Sequence, residues 1–286
     1  MTDEELIRAL DPLRSVGSGI VELPGWDEAI FVKLIPITQI EIDRPGCTAN
    51  LFGLPVNYQY RLGSHGFGAW RELWVHERVN PPRLFDSRVL PVASARSFEI
   101  GPFTGSDAVR RRIDALQAAT SSLVLFIEAL PATLSTWFAR QEQMPDLERI
   151  EYELLSLVGD FNERGILHMD THFDNIMTDG QRLVLSDFGL ALSSSFELNS
   201  EEREFFDRHR GFDRATVITS LAHAVVQRHD DRVEWRAAFY ELCRSPRVAS
   251  RVRTWLQKRR SVVEATGRFY QHLLERPWDR PPVPGL

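Results

Sequence analysis

The sequence predicts an α+β chain in two lobes, an antiparallel sheet with one helix followed by a mainly helical region. Three observations lead there. The 286 residues exceed what one hydrophobic core usually organises, so two lobes or one large domain are expected. Short apolar and β-branched runs, punctuated by glycine and proline, fill the first 130 residues. Beyond Leu130-Pro131 the apolar residues recur with helical spacing, which divides the chain into an N-terminal lobe of residues 1–130 and a C-terminal lobe of residues 131–286.

After an amphipathic opening, residues 14–19 hold a glycine-containing turn and residues 20–23 a strand. Pro24-Gly25 turns the chain, and the apolar run 29–37 returns beside it. Residues 38–68, rich in glycine, proline and asparagine, read as a loop or insertion, and residues 69–79 as the sheet's one helix. Further strands are expected at 88–93 and 122–129. Residues 133–141 and 147–163 read as helices, the second with Ile150, Leu154, Leu155, Leu157, Val158 and Phe161 on its apolar face and Gly165 as its stop. Residues 176–177 and 182–185 flank Thr178-Asp179-Gly180 as a hairpin. From about residue 201 to Pro277 the chain reads as helical, with the arginines of 244–260 along one solvated helix face and residues 276–286 irregular.

A net charge of -6 argues against a general nucleic-acid binder, which needs a concentrated basic surface. Cys47 and Cys243 lack the spacing of a metal site or disulfide framework, and the Met1-Thr2-Asp3-Glu4-Glu5 start lacks a basic, then apolar, leader. With no apolar stretch near the ~20 residues of a membrane span, a cytoplasmic protein without membrane or nucleic-acid partners is expected. Lys33 and Lys258 are the only lysines, so a lysine kept inside the apolar run 29–37 stands out.

The chemistry concentrates in His168-Met169-Asp170-Thr171-His172-Phe173-Asp174-Asn175, followed by Ser186-Asp187-Phe188-Gly189 at the end of an apolar run. A carboxylate and a carboxamide five residues apart on one loop suit phosphoryl transfer: one accepts the proton of an attacking hydroxyl and the other holds magnesium. A second carboxylate at a strand end adds an oxygen ligand for that metal.

This order, H-x-D-x-x-x-x-N and then D-F-G, resembles the protein-kinase-like superfamily, over roughly residues 15–215. The resemblance implies a bilobal protein-kinase-like fold with ATP or GTP and Mg2+ as cofactors. It implies Asp170 as catalytic base, Asn175 and Asp187 as metal ligands, and His172 against the transferring phosphoryl group. Lys33, in Phe31-Val32-Lys33-Leu34, takes the place of the phosphate-binding strand lysine, the alternative being an edge-strand charge. Its partner is Glu72 or, further along, Glu77. Gly17 and Gly19 stand where the family's glycine loop cradles phosphates, although a hairpin turn accounts for them almost as well. Glu128, Ala129 and Leu130 occupy the lobe connection, whose backbone would meet the adenine edge. Asp213 resembles the aspartate that anchors the catalytic loop from beneath, a helix N-cap being the alternative.

Within the superfamily, His172 where protein kinases carry lysine, Met169 in place of their arginine, and the short stretch after Gly189 without Ala-Pro-Glu point to the aminoglycoside phosphotransferase and small-molecule kinase branch. That branch usually has glycine at the Met169 position. The implied activity is transfer of the γ-phosphate to a hydroxyl of a small molecule such as an antibiotic, in resistance or self-protection. A protein serine or threonine acceptor is the alternative. A nucleotide-binding pseudokinase, docking through the arginine-rich helix, is an alternative of another class. The acceptor, the oligomeric state and the choice between ATP and GTP do not follow from motifs.

Overall fold

The computed structural model describes residues 2–23, 26, 29–79, 81–229 and 235–285, so the expected Pro24-Gly25 turn lies outside the described residues. The chain combines helices with antiparallel sheet and divides into two compact units. The first holds Met1–Leu130 and Asp187–Arg203, the second Pro131–Ser186 and Glu204–Leu286. Residues 187–203, assigned from sequence to the C-terminal lobe, therefore pack with the first unit.

In the first unit, α1 (Asp3–Ala9) starts at a capping box in which Thr2 and Glu5 exchange side-chain and amide hydrogen bonds. Strands β1 (Ser18–Val21) and β2 (Ile30–Ile37) pair antiparallel. The insertion that follows holds a one-turn helix α2 (Gln39–Ile42) and a 3-10 turn, Val56–Gln59, and leads to α3 (Ala69–His76). Next come β3 (Leu84–Leu90), α4 (Asp107–Gln117) and β4 (Ser121–Glu128), and the sheet order is β1-β2-β4-β3.

Side-chain alternation along β2 sorts the unit into two apolar layers. Ile30, Val32 and Leu34 join Leu6, Leu10 and Leu13 on one face. On the other, Ile37 with Phe31 and Ile35 packs on Ala69, Trp70 and Leu73 of α3, so Lys33 shares the face that carries this helix. Two expectations shift. The strand expected at 88–93 runs from Leu84 to Leu90, and α4 is a helix that composition hides, because its apolar stripe of Val109, Ile113 and Leu116 is set among arginines and aspartates.

In the second unit, the short strand β5 (Ala132–Thr133) precedes α5 (Leu134–Arg140) and α6 (Leu147–Glu163), and Gly165, at φ 71°, ends the latter. After β6 (Ile166–Leu167), the hairpin of β7 (Ile176–Thr178) and β8 (Leu183–Leu185) completes a sheet in the order β5-β7-β8. The first unit takes back β9 (Leu192–Ser193), after which α7 (Ser200–Arg208), α8 (Phe212–His229), α9 (Trp235–Leu242) and α10 (Ser250–Glu275) follow. Helix α8 is buried along most of its length, with α6, α9 and α10 packed on it.

The arginines of 244–260 do not share one solvated helix face. Pro246 interrupts the helix, residues 244–249 form a turn, and Arg253 donates back to the carbonyls of Ser245 and Val248. Arg259 pairs with buried Glu151 at 2.5 Å. Among the described residues, no helix is long and apolar enough to cross a membrane.

Candidate functional site

In the first unit, β2, α3 and the 187–203 segment each deliver one charged side chain to a single point. Lys33 Nζ donates to Glu72 Oε1 at 2.6 Å and to Asp187 Oδ1 at 2.8 Å. Because β2 lies between β1 and β4, Lys33 is not an edge-strand charge, and Glu77, at the end of α3, pairs instead with neighbouring Arg78. Burial disfavours the Lys33 ammonium, yet the Asp187 and Glu72 carboxylates outweigh it and hold Lys33 above its ordinary range. Glu72 is pushed up by burial; Lys33 pulls against this and the Asp187 charge adds to it.

Asp187 stands in the left-handed region, φ 59° and ψ 75°, and its carboxylate also accepts the Gly189 amide. Two glycines make that turn feasible. A side chain on Gly66, itself at φ 72°, would run into the Gly189 carbonyl, and one on Gly189 would crowd the Glu72 and Asp187 carboxylates. Phe188 is fully buried with His76 of α3 edge-on against it, and Gln59 of the insertion bonds the Leu190 carbonyl.

The insertion also sets the position of α3. Buried Glu41 accepts the Ala69 amide at 2.8 Å, the Thr38 amide and hydroxyl, and the Arg112 guanidinium at 2.7 Å, while its own carbonyl accepts the Trp70 indole. A carboxylate at the first turn of α3 suits the positive end of that helix, and Arg112 neutralises it from α4. Burial raises the Glu41 carboxyl, but Arg112 and Thr38 more than reverse this and hold it below the usual carboxylate range.

The two glycines expected to cradle phosphate are put to other uses. Gly17 ends a turn at φ 84°, with its amide donating to Leu13 O and its carbonyl accepting from Leu34, both at 2.7 Å. The Arg96 guanidinium fills the place where a Gly17 side chain would begin, 2.7 Å from an ideal Cβ. Gly19 is a β1 residue whose missing side chain makes room for Leu13. At the lobe connection, the Glu128 amide donates to Arg83 O at 2.8 Å, an extension of the sheet ladder that leaves the amide role expected there to Ala129 or Leu130; Leu130 is buried.

In the second unit, the loop between β6 and β7 is anchored from α8. Asp213 accepts the amides of His168 at 2.7 Å and Met169 at 2.9 Å, so it braces the loop rather than capping its own helix. Burial raises its carboxyl to about 6, against the lowering effect of these two amides. Met169 is held at φ 67°, a left-handed backbone that glycine adopts more readily than a residue with a side chain. His168 is buried, with Nε2 on the Ser186 carbonyl at 2.8 Å and Nδ1 accepting the Asp170 amide, a pattern that assigns the proton to Nε2.

Thus oriented, Asp170 and Asn175 meet. Asn175 Nδ2 donates to the Asp170 carbonyl at 3.0 Å and to its carboxylate at 3.2 Å. This orientation leaves the amide oxygen as the atom of the Asn175 side chain that could accept a donor or hold a cation. His172 Nδ1 accepts the Asp174 amide, and Nε2 stands 3.7 Å from Asp170 Oδ2. Sequence reasoning missed Glu41 and Arg96. The Thr38-x-x-Glu41 spacing of a capping box could have pointed to the first; nothing local marks the second. No protein-family model matches this chain and no curated protein matches it, so the functional reading rests on its own residues.

Proposed function

We propose that this protein is an ATP- or GTP-dependent O-phosphotransferase of protein-kinase-like type acting on a small hydroxylated molecule. The observation that carries the reading is the convergence of Lys33, Glu72 and Asp187 from three distant segments on one 2.6–2.8 Å network. A lysine braced by one carboxylate and linked to a second, metal-binding one is what phosphoryl transfer asks of a nucleotide site. The braced loop with Asp170 and Asn175 supports the same reading from the second unit.

In this reading Lys33, oriented by Glu72, binds nucleotide phosphates. Ile20 lies beside Phe31 across β1 and β2, two residues along from Lys33 on the same face, and is 63% exposed, an apolar surface suited to a base. Asp187 in the first unit, with a half-exposed carboxylate, and Asn175 in the second, through its amide oxygen, each offer a hard oxygen donor of the kind that Mg2+ takes. Mg2+ held by these donors would supply charge neutralisation for the transferring phosphoryl group. Asp170 orients the acceptor hydroxyl and takes its proton, and His172 lies beside it to contact the phosphoryl oxygens.

The small-molecule acceptor is supported by the segment after Asp187. Only residues 191–199 separate the Phe188–Leu190 turn from α7, and Glu197 is tied to Thr48 by two hydrogen bonds, which leaves little chain for a peptide platform. The test is magnesium-dependent consumption of ATP and GTP across aminoglycosides, nucleosides and other polyols, with Asp170→Asn as control. Turnover with one small molecule, lost in the variant, is expected. Phosphate transfer to protein hydroxyls alone would move the acceptor class, and absence of both turnover and nucleotide binding would overturn the reading.

A further inference from the structure

We propose that Arg96 is a phosphate-binding residue that takes over, on this chain, the task a glycine loop's amides perform elsewhere. The inference rests on the nucleotide site proposed above and adds a residue to it.

Three observations converge on Arg96. Its guanidinium stands beside Gly17, within 2.7–2.9 Å of the position a Cβ would occupy, and lines one cavity with Lys33, Glu72 and Asp187. Among the described residues that guanidinium forms no hydrogen bond or ion pair; the ring of Phe98 lies 5.8 Å from it, centroid to Cζ, and its charge acts on Glu72, pulling that carboxyl down against the rise that burial gives it. Its backbone is nonetheless held, since Ala95 donates to the Arg14 carbonyl at 2.9 Å and Arg96 itself to Ser94 Oγ, tying this segment to the turn that ends at Gly17.

Charge explains why such a residue is needed. One ammonium shared by two carboxylates leaves the Lys33, Glu72 and Asp187 group with a net charge of about −1, which repels a polyphosphate. A divalent ion at Asp187 would offset part of this; of the two arginines that line the same cavity, Arg112 is paired with Glu41, which leaves Arg96 as the cation that the chain itself adds. The Gly17 amide, which a phosphate-cradling loop would offer, is already bonded to Leu13. A guanidinium supplies paired donors in a fixed fork that matches two phosphate oxygens.

The test is calorimetric binding of ATP, ADP and adenosine, with magnesium, to the full chain and to Arg96→Ala and Arg96→Lys. Wild type is expected to bind all three. Arg96→Ala should weaken ATP by about tenfold or more, the scale of a hydrogen bond to a charged group, and leave adenosine affinity and thermal midpoint unchanged. Arg96→Lys should recover part of the loss, because the charge remains while the fork is gone. Equal ATP affinity in Arg96→Ala and wild type would overturn the inference alone, as would an equal loss for adenosine and ATP. A wild-type chain that binds none of the three would overturn the nucleotide reading as well.

Discussion

The Asp213 carboxylate accepts the Met169 amide at 2.9 Å and thereby holds a non-glycine residue at φ 67°, one position before Asp170. Burial raises this carboxyl to about 6, so the folded chain binds its proton more readily than the unfolded chain does. The stability it contributes is therefore complete below the ordinary aspartate range and lost as pH rises through about 6. Relative to Asp213→Asn, wild type should lose up to about 3 kcal/mol of stability between pH 4 and pH 6. Urea unfolding of both proteins across that range checks it; parallel curves would mean the carboxyl does not titrate there.

Met169 should tolerate an unbranched replacement and resist a branched one. It is fully buried and left-handed, so Met169→Leu keeps the volume, whereas Met169→Ile places a β-branched residue where the backbone excludes it. Thermal denaturation should rank isoleucine below leucine by about 1–2 kcal/mol.

Removing the cation between Glu72 and Asp187 should cost stability in a pH-dependent way. Lys33→Met leaves the two carboxylates without a shared ammonium, a loss of about 3 kcal/mol near neutral pH. Glu72 is already raised, so the deficit should deepen as pH climbs through its folded value and shrink below the ordinary carboxylate range. The double variant Lys33→Met, Glu72→Gln should recover part of it, read by chemical denaturation at pH 5 and pH 8, while the proposed phosphoryl transfer should be lost from both.

Glu41 offers a test of the insertion. Glu41→Gln strips Arg112 of its counter-charge where both side chains are almost wholly buried, so a loss of about 3–5 kcal/mol is expected. Replacing the pair together with methionines should cost less, because no charge is left stranded. Equal losses would locate the effect in the helix cap rather than in the ion pair.

Gly66→Ala should separate activity from folding. The new methyl meets the Gly189 carbonyl, and the positive φ adds strain of about 1–2 kcal/mol. The turn that sets Asp187 must move, so turnover should fall about tenfold or more while far-ultraviolet circular dichroism is unchanged.

Much of this was legible because it is local. Helix α6 has an apolar stripe from Ile150 to Phe161 and a glycine stop, β4 a β-branched run ended at Leu130-Pro131, and the 168–175 and 186–189 motifs set their polar residues at short spacing. What stayed hidden depends on distant partners. Glu41 acts through residues 28 and 71 positions away, and Arg96 gains its place only from a turn about eighty residues earlier in the chain. Helix α4 went unread because charged residues dilute a stripe of three apolar ones. The glycine pair reads two ways because a missing side chain serves tight packing, seen here against Leu13 and Arg96, as well as ligand approach.

The return of residues 187–203 to the first unit bears on how the chain is made. Lys33 meets Asp187, Thr48 meets Glu197 and Arg71 meets Glu202 across 154, 149 and 131 positions. Such closures are entropically slow and await the far segment. On a ribosome, the first unit therefore emerges with Lys33 paired to Glu72 alone and Arg71 bonded to the Thr48 carbonyl, each lacking its second, carboxylate-bearing partner until the 187–203 segment has been synthesised. Completion of the Lys33, Glu72 and Asp187 charge group is thereby deferred to a late stage of translation, and a nascent chain halted before residue 187 would carry an incomplete first unit.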